Sequence, residues 1–337
     1  MSRKLIVDTD PGLDDARAII FLLSIPEIEV VGVTTVAGNG YVDQVTQNLM
    51  TTLNSIRRND IPVYAGTYHN MSGEIVESDK YFGENAFGNL VLPSSGKKPV
   101  KNILAPQAIV NIVNKYPNQV EIVAMGPLTN IGMAYMLDRS LPDKLKSLLW
   151  MGGDISEKTI FNKTEFSEFN SYSDPLAVKL VLENFGKSAI NPLYVIDWKF
   201  CLKYPLQICF FDNIAALLSK KKGRENQVSI FKARPPSLIS DSLDVGSKTA
   251  YIADEFPALI CYDHGLITKY VSVKLKSVEI TGPERGHTTF TEETDANIIL
   301  VEEIDFNRFQ SIYIKKIENQ EFKKKLHIHL PKDCHIC

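Results

Sequence analysis

The chain has 337 residues, 44% hydrophobic and 23% charged, a balance that excludes a disordered or membrane-embedded protein. Its 37 Lys and Arg against 40 Asp and Glu leave a formal charge of −3, so nothing draws it to nucleic acid. The basic runs at 220–222 and 323–325 are short and read as solvated surface. No stretch approaches the ~20 apolar residues of a membrane span, and the first residues lack the apolar core of a secretory signal. Five cysteines, an odd number, do not make a disulfide framework, and a reducing, cytoplasmic setting is expected.

Residues 4–7 form a short apolar run bounded by acids and a Pro-Gly pair, which predicts a buried strand. Residues 14–23 follow as a helix, with Ala16, Ile19, Ile20 and Leu23 on one face. A strand over 29–35, a helix over 42–56 and a strand over 61–64 come next. Later elements are a helix at 106–114, a strand at 120–124, a helix at 130–137 and a strand at 146–150. Strands alternating with helices predict an α/β, Rossmann-like fold, its mainly parallel sheet covered by helices on both faces. The segment 199–255 is more helical, and 315–337 reads as a terminal helix with a polar end. No linker or repeat divides the chain, so one domain over 1–337 is expected.

In such a sheet ligands bind beyond the carboxyl ends of the strands. The loops to search are therefore 8–15, 37–40, 125–130 and 151–153. The first holds Asp8, Asp10, Asp14 and Asp15 within eight residues. Helix capping accounts for one or two of these acids, not four. Crowded carboxylates repel unless a cation neutralises them, and a hard divalent ion with oxygen ligands suits them. Successive helical residues point ~100° apart, so Asp14 and Asp15 are expected to face different ligands, one a metal and one a substrate hydroxyl.

The run from Asp8 through Thr9-Asp10-Pro11-Gly12-Leu13-Asp14-Asp15 to Ala16 resembles the amino-terminal motif of the inosine-uridine-preferring nucleoside hydrolase family. The resemblance implies Ca2+ held by Asp10, Asp15, Asp254 and the Met125 carbonyl. Asp10 would also be the base that deprotonates the attacking water, with Asp14 contacting the ribose. Ala37-Gly38-Asn39 is similar to a loop whose Asn binds the sugar, and Met151-Gly152-Gly153 to a turn lining the sugar pocket. Asn162, Glu168 and Asn170 resemble the ribose-binding stretch. The late motif places Asp254 at the metal, and a shift of one residue would offer Glu255 instead. The implied substrate is a small-molecule ribonucleoside, with neither nucleic acid nor membrane as partner, and the implied assembly is a homodimer or homotetramer.

Two positions depart from that pattern. Many family members carry a His before the late Asp, where this chain has Ala253, and another in the loop where Phe82 stands. Tyr81, Phe82, Trp198 and Tyr251 are candidates for stacking on the base, although packing is the better account of each taken alone. The substitutions keep a non-catalytic ribonucleoside or ribose sensor in view. Asp8-Thr9-Asp10 alone would also suit a phosphatase of the haloacid dehalogenase type. Purine and pyrimidine preference are both open. Cys334 and Cys337 have the spacing of half a zinc site, with His327 and His329 nearby, and a frayed tail is the expected reading.

Overall fold

Leu5, Ile6 and Val7 are all buried, because the strand that carries them is covered on both faces. Leu5 and Val7 pack into one apolar cluster and Ile6 into another, as side chains alternate along a strand. In this computed structural model, residues 2–78, 80–93, 96–187, 191–236 and 249–320 are described. That first strand, β1 (Arg3–Thr9), pairs in parallel with β2 (Ile28–Thr35) and β4 (Val120–Ala124). The parallel pairing continues through β3 (Val63–Ala65) on one side and β5 (Ser147–Met151), β6 (Leu193–Ile196) and β11 (Ile298–Ile304) on the other. β9 (Ile267–Val278) and β10 (Thr288–Glu292) close the far edge antiparallel. The strand order is β10-β9-β11-β6-β5-β4-β1-β2-β3, and β7 (Leu206–Gln207) pairs separately with β8 (Thr249–Ala250).

One face is covered by α1 (Leu13–Leu22), α2 (Val42–Ser55), α8 (Trp198–Leu202), α9 (Ile208–Ser219), α10 (Glu225–Lys232), α11 (Glu255–Tyr262) and α12 (Phe306–Glu318). On the other lie α3 (Ala105–Lys115), α4 (Thr129–Leu137), the short α5 (Leu141–Lys144) and α7 (Pro175–Phe185). α6 (Phe169–Ser173) leads into α7. The doubly covered, mainly parallel sheet is therefore as expected, and the helical stretch after 199 is α9 and α10.

The sequence reading missed β6 to β11. β9, between β10 and β11, is half-exposed and carries Lys269, Lys274 and Lys276, so it lacks the apolar run that marks a buried strand. The terminal helix also starts earlier than 315, at Phe306, where the Asp305 side chain accepts from the Arg308 amide and caps it. Residues 321–337, with Cys334, Cys337, His327 and His329, lie outside the described residues. Among the described residues no helix is long and apolar enough to cross a membrane.

The register fixes where a ligand can sit. Asp8 is level with Thr34 and Ala124, and Ala124 with Trp150. The loops leaving β1, β2, β4 and β5 therefore emerge at one edge, where the candidate residues fall.

Candidate active site

Asp10 leaves the end of β1 between two glycines. A Cβ on Gly38 would lie 2.1 Å from Asp10 Oδ2, and one on Gly126 would lie 2.7 Å from Asp10 Oδ1. Only glycine lets both loops close on this carboxylate. Asp10 Oδ2 accepts the Asn39 amide at 2.8 Å, whereas Oδ1 is buried with no hydrogen-bond partner. Asn39 also donates from Nδ2 to the Asp10 carbonyl at 3.1 Å and to Asp15 Oδ2 at 3.4 Å.

Asp15, fully buried in the first turn of α1, is fixed by the Thr9 hydroxyl and by the Gly12 amide at 2.8 Å. Asp254 comes from the other side of the site, as the residue preceding α11, and is 3% exposed. Oxygens of Asp14, Asp15 and Asp254 lie within 4.8 Å of one another and could hold a metal ion. Asp14 and Asp15 thus each bring a carboxylate oxygen to this end of the site. Asp15 folds back to the Gly12 amide, and Asp254 reaches in from α11 to meet both. Asp10 is not one of that close trio, although its charge is felt by Asp15 and Asp254.

Burial without a counter-charge pushes these acids up. Burial first, then Asp15, raises Asp10 well above the usual carboxylate range. Asp254 is raised in the same way by burial and then Asp15 and Asp14. Asp14 is pushed to about 7 by burial and then Asp15, and Glu255 to about 8 by burial and then Asp14. Asp15 is raised as well, chiefly by burial, against the pull of Thr9. A site that buries this many mutually repelling acids is arranged for a cation.

A second arc faces this cluster. Asn170 Nδ2 donates to the Met125 carbonyl at 3.2 Å and to the Met151 carbonyl at 3.1 Å, tying the loops after β4 and β5 together. Both Glu168 oxygens are taken by backbone amides, those of Gly153, Asn170 and Ser171. Its carboxyl is nonetheless raised to about 7 by burial. Asn162 is half-buried, and its Oδ1 accepts from the Lys163 and Phe169 amides at 2.8 Å. Glu168 and Asn162 thus have their acceptors engaged at the start of α6.

Two buried acids escaped the sequence reading. Asp197 follows β6, accepts the Phe200 and Ile155 amides, and is raised to about 6 by burial. Asp154 is 2% exposed with Oδ2 unpartnered. The signal was available, since each follows a strand or its Gly-Gly turn at the edge already singled out.

An aromatic group is built from residues next to site positions in sequence, Phe161 before Asn162, Trp198 after Asp197 and Tyr251 three before Asp254. Tyr251 stacks on Phe161 at 6.0 Å and tilts toward Trp198 at 6.2 Å, and Trp198 Nε1 donates to the Ile160 carbonyl. Tyr251 is 39% and Phe161 75% exposed, so both offer a ring face to a ligand. Tyr81 meets Phe82 edge-on at 4.8 Å, and Phe82 itself is packed against Gly12. Phe82 is therefore part of the wall behind the acidic loop.

The family model for inosine-uridine preferring nucleoside hydrolases matches residues 5–311. The chain is 32% identical over 225 residues to a probable uridine nucleosidase 1 of Oryza sativa, covering 66% of each. It is 35% identical over 182 residues to the inosine-uridine preferring nucleoside hydrolase of Crithidia fasciculata, covering 54% of this chain and 57% of that one. The matched span is therefore about two thirds or less of these relatives' lengths. Among solved structures, a plant nucleoside hydrolase superposes with a TM-score of 0.82 and 26% identity, over 95% of this chain and all of that one. The family match, extending across the acidic loop, the second arc and α11, leaves the phosphatase reading without support, and the chain belongs to the inosine-uridine preferring nucleoside hydrolase family.

Proposed function

We propose that this chain hydrolyses the N-glycosidic bond of ribonucleosides, releasing ribose and a free nucleobase, with calcium at the acidic site. The observation that carries this reading is the acidic cluster at the strand edge, where Asp10 Oδ1 is buried without a partner beside Asp14, Asp15 and Asp254. Oxygen donors alone, most of them carboxylates, suit a hard divalent cation. Asp10, Asp15, Asp254 and the Met125 carbonyl are the ligands in this reading. The ion would supply charge neutralisation, a grip on the ribose diol and a lowered pKa for water at the site.

The chain's own residues do the rest. Asp10, fixed through Oδ2 by the Asn39 amide, takes at Oδ1 the proton of the water that attacks C1′. Asp14, half-buried at the rim, accepts from a ribose hydroxyl, and Asn39 borders the same space. As the bond breaks, the ring gains oxocarbenium character. The carboxylates of Asp14 and Glu168 stabilise that charge, Glu168 acting from its fixed place beside Gly153. Asn170 holds the Met125 and Met151 carbonyls in position. Tyr251, Phe161 and Trp198 form the platform for the base. The whole chain acts as one domain, in the cytoplasm and as a homodimer or homotetramer, a setting consistent with the free thiols of Cys201, Cys209 and Cys261.

A second reading, a ribonucleoside-binding protein without turnover, is favoured by one observation. Ala253 and Phe82 leave no imidazole at either family position to protonate the departing base. Base release from common ribonucleosides by the purified chain with calcium separates the two. Asp10→Ala is expected to lower that release by about 10³-fold or more. Activity above a few per cent of the parent in Asp10→Ala would remove Asp10 as both base and ligand. Binding without release over hours would establish the sensor. Turnover of 2′-deoxyribosides equal to that of ribosides would exclude the diol contact.

A further inference from the structure

Behind the acidic cluster lies a second buried polar group that the reaction does not use. Arg17, Glu255 and Tyr313 are 5%, 0% and 0% exposed. Four of their polar atoms have no hydrogen-bond partner: Arg17 Nε, both Glu255 carboxylate oxygens and the Tyr313 hydroxyl. The three side chains belong to one packed junction of α1, α11 and α12: Tyr313 stacks on Phe21 of α1 at 5.4 Å, and Phe256, next to Glu255, packs on Phe309 at 5.0 Å, with Phe309 6.3 Å from Tyr313. Buried polar atoms left alone are rare, and a shared water commonly completes such a set. Here the set is complementary: a guanidinium N–H to donate, a carboxylate to accept and a hydroxyl able to do both.

The elements that carry these residues also carry the metal-site acids. Arg17 stands one turn after Asp14 on α1, so the two share a face. Glu255 opens α11 directly after Asp254, and Tyr313 belongs to α12. Arg17 is anchored at its far end, where Nη2 donates to the Ala233 carbonyl at 2.7 Å and the guanidinium lies 4.2 Å from the centre of the Phe211 ring. A fixed cation thus stands between two helix starts that would otherwise present acids to each other.

We propose that Arg17, Glu255 and Tyr313 form a water-bridged charge rack that holds the start of α11 against α1. Arg17 and Glu255 are then positioning residues for Asp254 and Asp14. The inference rests on the calcium reading above, and it makes a prediction opposite in sign to simple electrostatics. Removing a nearby positive charge should tighten cation binding if charge alone matters. Removing a positioning residue should weaken it.

The test is a luminescence titration of the full chain with Tb3+, a calcium surrogate, in the absence of nucleoside. Arg17→Gln and Glu255→Gln are each expected to weaken Tb3+ binding about tenfold, because each leaves one buried charge unopposed. The double variant removes both charges and is expected to return to within about threefold of the parent. Arg17→Lys, which keeps the charge, should restore part of the loss, and Tyr313→Phe should cost about threefold. Tighter binding in Arg17→Gln, or additive losses in the double variant, would overturn the rack. If Arg17→Gln does not fold, unchanged binding in both Arg17→Lys and Tyr313→Phe overturns it equally. If the parent binds neither Tb3+ nor calcium, the calcium reading fails on its own. The rack is then judged by metal-free thermal unfolding of the same four proteins, where additive losses overturn it and compensation in the double variant supports it.

Discussion

Two groups of buried acids in this molecule differ in how they are satisfied. At the junction of α6 and α7, Asp174 accepts the Thr129 hydroxyl at 2.6 Å, the Met71 amide at 2.9 Å and the Ala177 amide at 3.0 Å. Glu168 beside it takes three backbone amides. At the edge of β1 and α11, in contrast, Asp10 keeps an oxygen without a partner. The first region is a folding device, in which carboxylates tie helix starts to loops. The second is incomplete as protein alone, because an unpaired buried charge is expensive unless something outside the chain answers it. Asp174 with its three donors holds the fold, and Asp10 with its open oxygen is free to meet a ligand.

The sharpest way to break this comparison is to remove one acid from the incomplete region. Asp254→Asn keeps the shape and deletes one ligand charge, and kcat/KM is expected to fall by about 10³-fold while the thermal midpoint of the metal-free protein stays level or rises. The rise follows because Asp254 is destabilised by burial and then by Asp15 and Asp14. A loss of activity with a lowered midpoint would place Asp254 among the folding acids. The complementary change is Thr129→Val, which removes one of three donors to Asp174. It should lower unfolding free energy by about 1–3 kcal/mol, measured by denaturant titration, and leave kcat/KM within about twofold.

The same contrast predicts how stability follows pH. Asp14 and Glu168 are raised to about 7 and Glu255 to about 8, so the folded chain binds more protons than the unfolded one between pH ~4 and ~8. Stability is therefore present at low pH and lost as pH rises through those folded values. Between pH 5 and 8 the midpoint of the metal-free protein should drop by about 5 °C in calorimetry. Calcium should remove most of that drop at pH 8, since it binds the ionised acids. A midpoint that climbs with pH without metal would mean the cluster is already neutralised from within.

How much of this was legible before folding depends on whether a signal is local. Asp10, Asp14 and Asp15 stand together in sequence next to a Pro-Gly turn, and their edge of the sheet followed from strand–helix alternation. Asp254 was placed through the late motif, and α11 does bring it to the first loop. The distances among Asp14, Asp15 and Asp254 were not legible, because a helical wheel ignores what a second helix contributes. Nor was the Arg17–Glu255–Tyr313 group, whose members come from three elements spread over 17–313 and only meet when α1, α11 and α12 pack. Glu168 was read as part of a ribose-binding stretch, whereas its saturation by three amides depends on the turn at Gly153, where φ is +77°.

The smallest effect sharpens the comparison at its outer rim, where the chain has aromatic rings in place of imidazoles. Tyr251 is two residues before Ala253 and stacks on Phe161, so it can lie over a base held above the acids. Truncating it in Tyr251→Ala removes ring contact worth about 1 kcal/mol, and a threefold to tenfold rise in KM is expected for the preferred nucleoside. The informative quantity is how kcat responds. An unchanged kcat assigns Tyr251 to binding alone, because an interaction equal in ground and transition states moves KM only. A parallel fall in kcat would mean that the ring helps the base depart, the service an imidazole at Ala253 would otherwise supply. Comparing a purine with a pyrimidine ribonucleoside completes the measurement, since the larger ring system overlaps more of Tyr251 and should lose more on its removal.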